Sequence, residues 1–257
     1  MANYYKKSNP PASRVQRLLR LGMVLCLVGL LYSAASLAAG SREYAQGDAA
    51  YDRLRQHRGG GTVGGGQDPQ GTPQVDFAAL GRVNPEVVAW LTGEDGVIDY
   101  PVVRGRDNDY YLTHLFDGTV NKLGSLFVDC QAAGDFSGRN TPIYGHNMRD
   151  GSMFATLTQY QRQETYDLRP TMELVTPRGT YTVQLFAGLL APGQQEYIRL
   201  SFADDRDFLE YVRELRDAST FHSTVEVGPG DRIVTLSTCS YDFQDARYAL
   251  FGKLTPQ

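Results

Sequence analysis

Seven short runs rich in β-branched and aromatic residues, each bounded by Gly, Pro, Asn or Asp, constrain this chain more than any other feature. They occupy residues 97–103, 124–129, 142–146, 172–176, 180–190, 233–239 and 248–254. Runs of this length and punctuation read as strands. Seven or eight of them in one domain predict a mainly β, α+β fold closed into a barrel. One segment breaks the pattern: 204–217 carries Phe208, Leu209, Val212 and Leu215 at helical spacing, which predicts a helix between the strands near 190 and 233. Two further helices are expected ahead of the first strand. Asp76 can cap one through Leu80, and Asn84-Pro85 places a cap and an N1 proline before residues 86–91, which Gly93 ends.

The N-terminal part of the chain has a different composition. Residues 1–20 hold Lys6, Lys7, Arg14, Arg17 and Arg20 and no acid, and 21–39 follow without a charge. That stretch is long enough to cross a bilayer. Its basic flank leaves the N-terminus in the cytoplasm and everything after Gly40 outside. The expected division is therefore a cytoplasmic segment 1–20, a transmembrane signal anchor 21–39, an extracytoplasmic stalk and Gly-rich linker 40–74, and a globular domain 75–257. A cleaved signal peptide is the competing reading, because residues 34–39 are small enough for a signal peptidase, although the apolar stretch exceeds the usual ~7 to 15 residues. A buried core helix fits worse, given the basic flank and the lack of amphipathic periodicity. Residues 41–57 read as a short polar helix leaving the membrane. Residues 58–73 are too rich in glycine and too polar to order themselves. As a tether of about 15 residues they span on the order of 20 Å, which keeps the domain close to the membrane.

Charge and cysteine content narrow the function. Five of the 25 basic residues lie in the first twenty positions, leaving 20 against 29 acids, a formal −9 for the remainder. An acidic exterior argues against nucleic acid as a partner. Of three cysteines, Cys26 falls in the apolar stretch, so only Cys130 and Cys239 lie beyond it. This is no disulfide scaffold, although a Cys130 to Cys239 bridge remains the plain structural alternative.

Cys239 ends the run Thr235-Leu236-Ser237-Thr238-Cys239, and a thiol at a strand end with a histidine and an arginine at hand suits attack on a carbonyl. A free thiol is mostly protonated at neutral pH, so it needs a base or a lowered pKa. His146 is the candidate among four histidines. It ends an apolar strand beside Gly145, where the backbone can turn and expose the ring; a hydrogen-bonded core histidine is the alternative. His57 lies in the tether, and His114 and His222 have no accompanying motif. Arg247 begins the run after the polar segment 240–246, so a hairpin returns it beside Cys239. A rim salt bridge with Asp242 or Asp245 is its alternative role. Neither CxxC nor HExxH spacing occurs, so no zinc site and no cofactor is expected.

In combination, Tyr144-Gly145-His146-Asn147-Met148 with Gly151-Ser152-Met153-Phe154, the run ending in Cys239, and Arg247 closely resemble the class B sortases. The resemblance runs from about residue 75 to 254 and includes Tyr100-Pro101-Val102-Val103, Asn108-Asp109-Tyr110-Tyr111-Leu112 and Gly124-Ser125-Leu126-Phe127. It implies an eight-stranded sortase β-barrel with N-terminal helices and a helix before the cysteine strand, making 75–257 the catalytic domain. By matching motif, Cys239 is the nucleophile, His146 the general acid and base, and Arg247 the stabiliser of the oxyanion or substrate carbonyl. Asn108, Leu112, Tyr144, Ser237 and the adjoining Thr238 match a sorting-peptide groove, and Tyr197 and Ile198 a looser part of it. Cys130 has no counterpart role in the family.

The resemblance implies an extracytoplasmic cysteine transpeptidase anchored in the cell membrane of a Gram-positive-type bacterium. Its partners would be surface proteins bearing a C-terminal sorting signal like Leu-Pro-x-Thr-Gly or a class B variant, and a peptidoglycan cross-bridge amine or its lipid-linked precursor as acceptor. A pilus-assembling sortase shares the chemistry. From other classes, an L,D-transpeptidase would place its cysteine in a Ser-x-Gly-Cys context that is absent here, and a tethered binding module would leave Cys239 inert.

Overall fold

The computed structural model describes residues 14–59, 75–94, 96–193 and 197–257. The chain divides into two compact units, Met1–Gln46 and Gly47–Gln257. Helix α1 spans Arg14–Arg55. In the first unit its apolar side chains are uncovered, with Leu18, Leu25, Leu30 and Leu37 each more than 60% exposed. A helix satisfies its own backbone and, apolar all round, suits hydrocarbon rather than water. It is long and apolar enough to cross a membrane.

The second unit begins at Gly47, not at Val75 as the composition suggested. Gly47, Tyr51 and Leu54 are buried at helical spacing, so the last turns of α1 offer one face to the barrel, where a polar stalk had been expected. Three buried positions among many polar ones leave too faint a period to read. Arg58 then bridges Val75 in antiparallel fashion. The expected glycine-rich tether lies, apart from its first residues, outside the described residues.

Helix α2 (Phe77–Val83) forms where expected, its first turn capped by Asp76, which accepts from Ala79 N at 2.8 Å. The helix expected over 86–91 is instead strand β1 (Val87–Gly93). Asn84 does accept from the Glu86 amide at 2.9 Å, but that contact makes a turn. The apolar run Val87-Val88-Ala89-Trp90-Leu91 then pairs on both sides, and fully burying Ala89, Trp90 and Leu91 outweighs local propensity.

The remaining strands are β2 (Asp99–Val103), β3 (Leu126–Val128), β4 (Asn140–Tyr144), β5 (Thr171–Thr176), β6 (Gly179–Pro192), β7 (Ile233–Ser240) and β8 (Ala246–Pro256). They close a barrel in the order β1-β2-β3-β4-β7-β8-β6-β5, with β2/β3 and β4/β7 parallel and the other neighbours antiparallel. Helix α3 (Gln163–Leu168) and 3-10 turns over Tyr110–Leu112 and Ala155–Gln161 carry no clear period in the sequence. Helix α4 (Asp205–Asp217) starts at Asp204, whose carboxylate accepts from Asp207 N at 2.9 Å. It buries Phe208, Tyr211, Val212 and Leu215 against Phe186, Ile233, Ala249 and Phe251 of the barrel. Each such side chain contributes about 1.5–3 kcal/mol.

Candidate active site

The parallel pairing of β4 with β7 brings residues far apart in sequence to one end of the barrel. Tyr144 is level with Ser237, so His146, two residues past the end of β4, and Cys239, two residues further along β7, come to the same end of the barrel. Cys239 stands directly opposite Arg247 in the β7/β8 ladder. The hairpin expected from the spacing is therefore present.

Gly145 is the tight point of this edge. A Cβ there would run into Leu126 Cδ2 and come within 2.8 Å of Phe154 Cδ2, both in fully buried side chains. Its amide donates to Ser237 O at 3.2 Å and its carbonyl accepts from Thr238 Oγ1 at 2.7 Å. Asn147 Nδ2 donates to Cys239 O at 2.9 Å. The histidine turn and the cysteine strand are thus pinned to each other through backbone groups.

The His146 ring is oriented through Nε2, which lies 2.7 Å from Leu112 O. A carbonyl only accepts, so Nε2 carries the hydrogen, and in the neutral ring Nδ1 is the nitrogen with the lone pair. Arg247 pairs with Asp245 at 3.0 Å and donates to Ala246 O at 3.2 Å, both through Nη1. The rim ion pair considered from spacing is therefore made with Asp245. Asp242 instead accepts from Ser240 and Gln161. Cys239 and Cys130 are both unbridged and partly exposed thiols.

Cys239, His146 and Arg247 open into a groove of about 730 Å³, which also takes in Asn108, Leu112, Tyr144, Tyr197, Ile198, Ser237 and Thr238. Every site residue named from the sequence thus lies on one surface. Tyr197 donates or accepts at Ser237 Oγ, 2.9 Å away, and its carbonyl accepts from Tyr211 OH at 2.9 Å, which ties the segment before α4 to the cysteine strand. Burial raises the pKa of Tyr197 and of Tyr144, and the Asp129 carboxylate beside Tyr144 raises it further. Both remain neutral phenols.

Sequence reasoning missed several contributors. Phe127, Gly145 and Gly193 also line the groove. Behind it, Asp129 is buried and accepts from Tyr144 OH at 2.9 Å, Asn108 Nδ2 at 3.1 Å and Gln131 N at 2.8 Å. Asn108 Oδ1 accepts in turn from Cys130 N at 2.8 Å, so its amide is held at both ends. An acid closing an otherwise apolar run was the available signal for Asp129. Cys130 supplies only its backbone to this arrangement.

No family model matches the chain. It is 38% identical over 186 residues to sortase B of Listeria monocytogenes, covering 72% of this chain and 76% of that protein. To sortase B of Staphylococcus aureus it is 31% identical over 180 residues, covering 69% and 74%. Among solved structures, a Staphylococcus aureus sortase B–substrate complex matches with a TM-score of 0.72 at 28% identity, over 84% of this chain and 99% of that one. Sortase B from B. anthracis in complex with AAEK1 matches with a TM-score of 0.74 at 28% identity and the same coverage. With relatives this similar over this much of their length, and a closed eight-stranded barrel in common, the chain belongs to the sortase B family, cysteine transpeptidases that anchor surface proteins.

Proposed function

We propose that the groove binds the sorting signal of a surface protein, a Leu-Pro-x-Thr-Gly-like peptide or a class B variant of it, and that Cys239, His146 and Arg247 carry out the transfer. The Cys239 thiolate attacks the threonyl carbonyl, and the oxyanion is held by the Arg247 guanidinium. Collapse breaks the peptide bond, and the imidazolium of His146 gives its proton to the departing amine through Nδ1, since Nε2 is held by Leu112 O. A thioester on Cys239 remains. An incoming amine, read here as a peptidoglycan cross-bridge or its lipid-linked precursor, loses a proton to Nδ1 and attacks the thioester, forming the new amide and releasing the thiolate. The observation that carries this reading is the convergence of Cys239, His146 and Arg247 on one peptide-sized groove.

The apolar part of α1 supports a single-pass anchor with its basic end in the cytoplasm and the catalytic unit outside. That topology suits a reaction whose protein substrate and acceptor precursor are both held at the membrane. The test is mass spectrometry of the full-length chain in detergent with a panel of sorting-type peptides, with and without an amine. A Cys239-dependent acyl adduct that an amine converts to ligated product is expected, and is absent from Cys239→Ala. An adduct that persists in Cys239→Ala refutes the assignment.

A further inference from the structure

Two routes of contact lead from the last turns of α1 to His146, and both begin at Tyr51. The helix approaches closely at Gly47, where a Cβ would stand 2.6 Å from Leu123 Cδ2. One turn on, Tyr51 is 1% exposed. Burial pushes its pKa up, so it stays a donor.

The first route runs through the hydroxyl. Tyr51 OH donates to Gly124 O at 2.5 Å and lies 3.1 Å from Ser125 Oγ. Gly124 has a φ of +60° and packs against the backbone behind the groove; a Cβ there would fall 2.5 Å from Tyr111 O and 2.9 Å from Leu112 O. Ser125 N donates to Tyr111 O at 2.9 Å. The next carbonyl, Leu112 O, is the one that holds His146 Nε2.

The second route runs through the ring. Tyr51 meets Tyr100 edge-on, with centroids 5.0 Å apart at 88°. Tyr100 OH accepts from Met153 N at 3.2 Å. Met153 is fully buried at a φ of +56°, a backbone state that a methionine keeps only when its surroundings impose it. It bridges Asn147, and the next amide, Phe154 N, donates to His146 O at 2.9 Å. One route fixes the imidazole and the other fixes its backbone.

We propose that Tyr51 is a positioning residue for His146, so that the competent enzyme unit begins inside α1 at Gly47. The inference rests on His146 being the acid and base of the reaction. It is tested on full-length protein in detergent, comparing wild type with Tyr51→Phe, which removes the hydroxyl alone, and with Tyr100→Phe, which cuts the second route. Steady-state kinetics and NMR of isotope-labelled histidine rings are read together, with His146→Asn identifying the His146 signal. For Tyr51→Phe the expected result is a fall in kcat of about 5- to 50-fold with KM within about twofold, because small misplacements of a reacting group are costly. The His146 ring signals shift or broaden as its contact to Leu112 O loosens. Tyr100→Phe produces a fall of the same kind. Unchanged kcat in Tyr51→Phe, or His146 signals that do not move, overturns the inference. An active His146→Asn overturns the underlying reading of His146 instead, whatever Tyr51→Phe does.

Discussion

Asp129→Asn is the substitution that most directly tests how the groove is built. The wild-type carboxylate is buried and only accepts, from Tyr144 OH, Asn108 Nδ2 and Gln131 N. An asparagine keeps one acceptor for Gln131 N but sets an NH2 against Asn108 Nδ2, donor to donor. Turning the Asn108 amide over puts its NH2 against Cys130 N, and turning the new amide over puts its own against Gln131 N. Every arrangement therefore takes the partner from one part-buried N–H, at about 1 kcal/mol. At roughly 2–4 °C per kcal/mol for a chain this size, the melting temperature falls by about 2–4 °C. Asn108 and Tyr144 also lose their fixed orientation in the groove, so KM for the sorting peptide rises by about 3- to 10-fold, worth up to about 1.4 kcal/mol of binding. The value of kcat stays near wild type, because Asp129 lies behind the groove lining. Thermal melts followed by circular dichroism and peptide-transfer kinetics read both effects. An unchanged melting temperature, or a loss of kcat at constant KM, refutes the argument.

Two further substitutions probe the frame. Gly145→Ala forces a methyl group onto Leu126 and Phe154 and costs about 1–3 kcal/mol of overpacking. Transfer activity falls further than stability alone explains, because the Gly145 backbone joins the histidine turn to β7; full activity in a destabilised variant counts against that link. Asp207→Asn tests the α4 start, where Arg199 at 2.7–2.8 Å and the Ala203 amide at 2.8 Å hold the Asp207 carboxyl below the usual carboxylate range. Because the folded pKa is lowered, its stabilisation is present above the unfolded value of about 3.9 and lost as pH falls through the folded one. The melting curves of wild type and variant should differ at pH 6 and converge at the acid end; parallel curves across that range contradict the assignment.

Much of the architecture was legible in the sequence because strand and helix periods are local. The seven runs that became β2 to β8, the Asp76 cap and the apolar stripe of α4 all follow from spacing within a dozen residues. The exception among strands, β1, shows the limit. Asn84-Pro85 looks like a helix start and does form a local turn, but pairing with β2 and β5, which no local rule contains, makes the next residues a strand. The thiol, the histidine and the arginine were likewise visible one by one as residue types in suggestive settings.

What the sequence by itself determined is the set of elements, the apolar N-terminal segment and the reactive groups, since propensity, capping and hydropathy act along the chain. Tertiary structure alone decided that β4 and β7 lie side by side and parallel, which brings His146 level with Cys239. It also decided that α1 extends to a buried Tyr51, that Leu112 O selects the nitrogen of His146 that holds the proton, and that Asp129 orients Asn108 and Tyr144. These contacts join residues from 15 to 93 positions apart. A hydrogen bond across such a separation leaves no period in the sequence, because its geometry exists only once the barrel has closed.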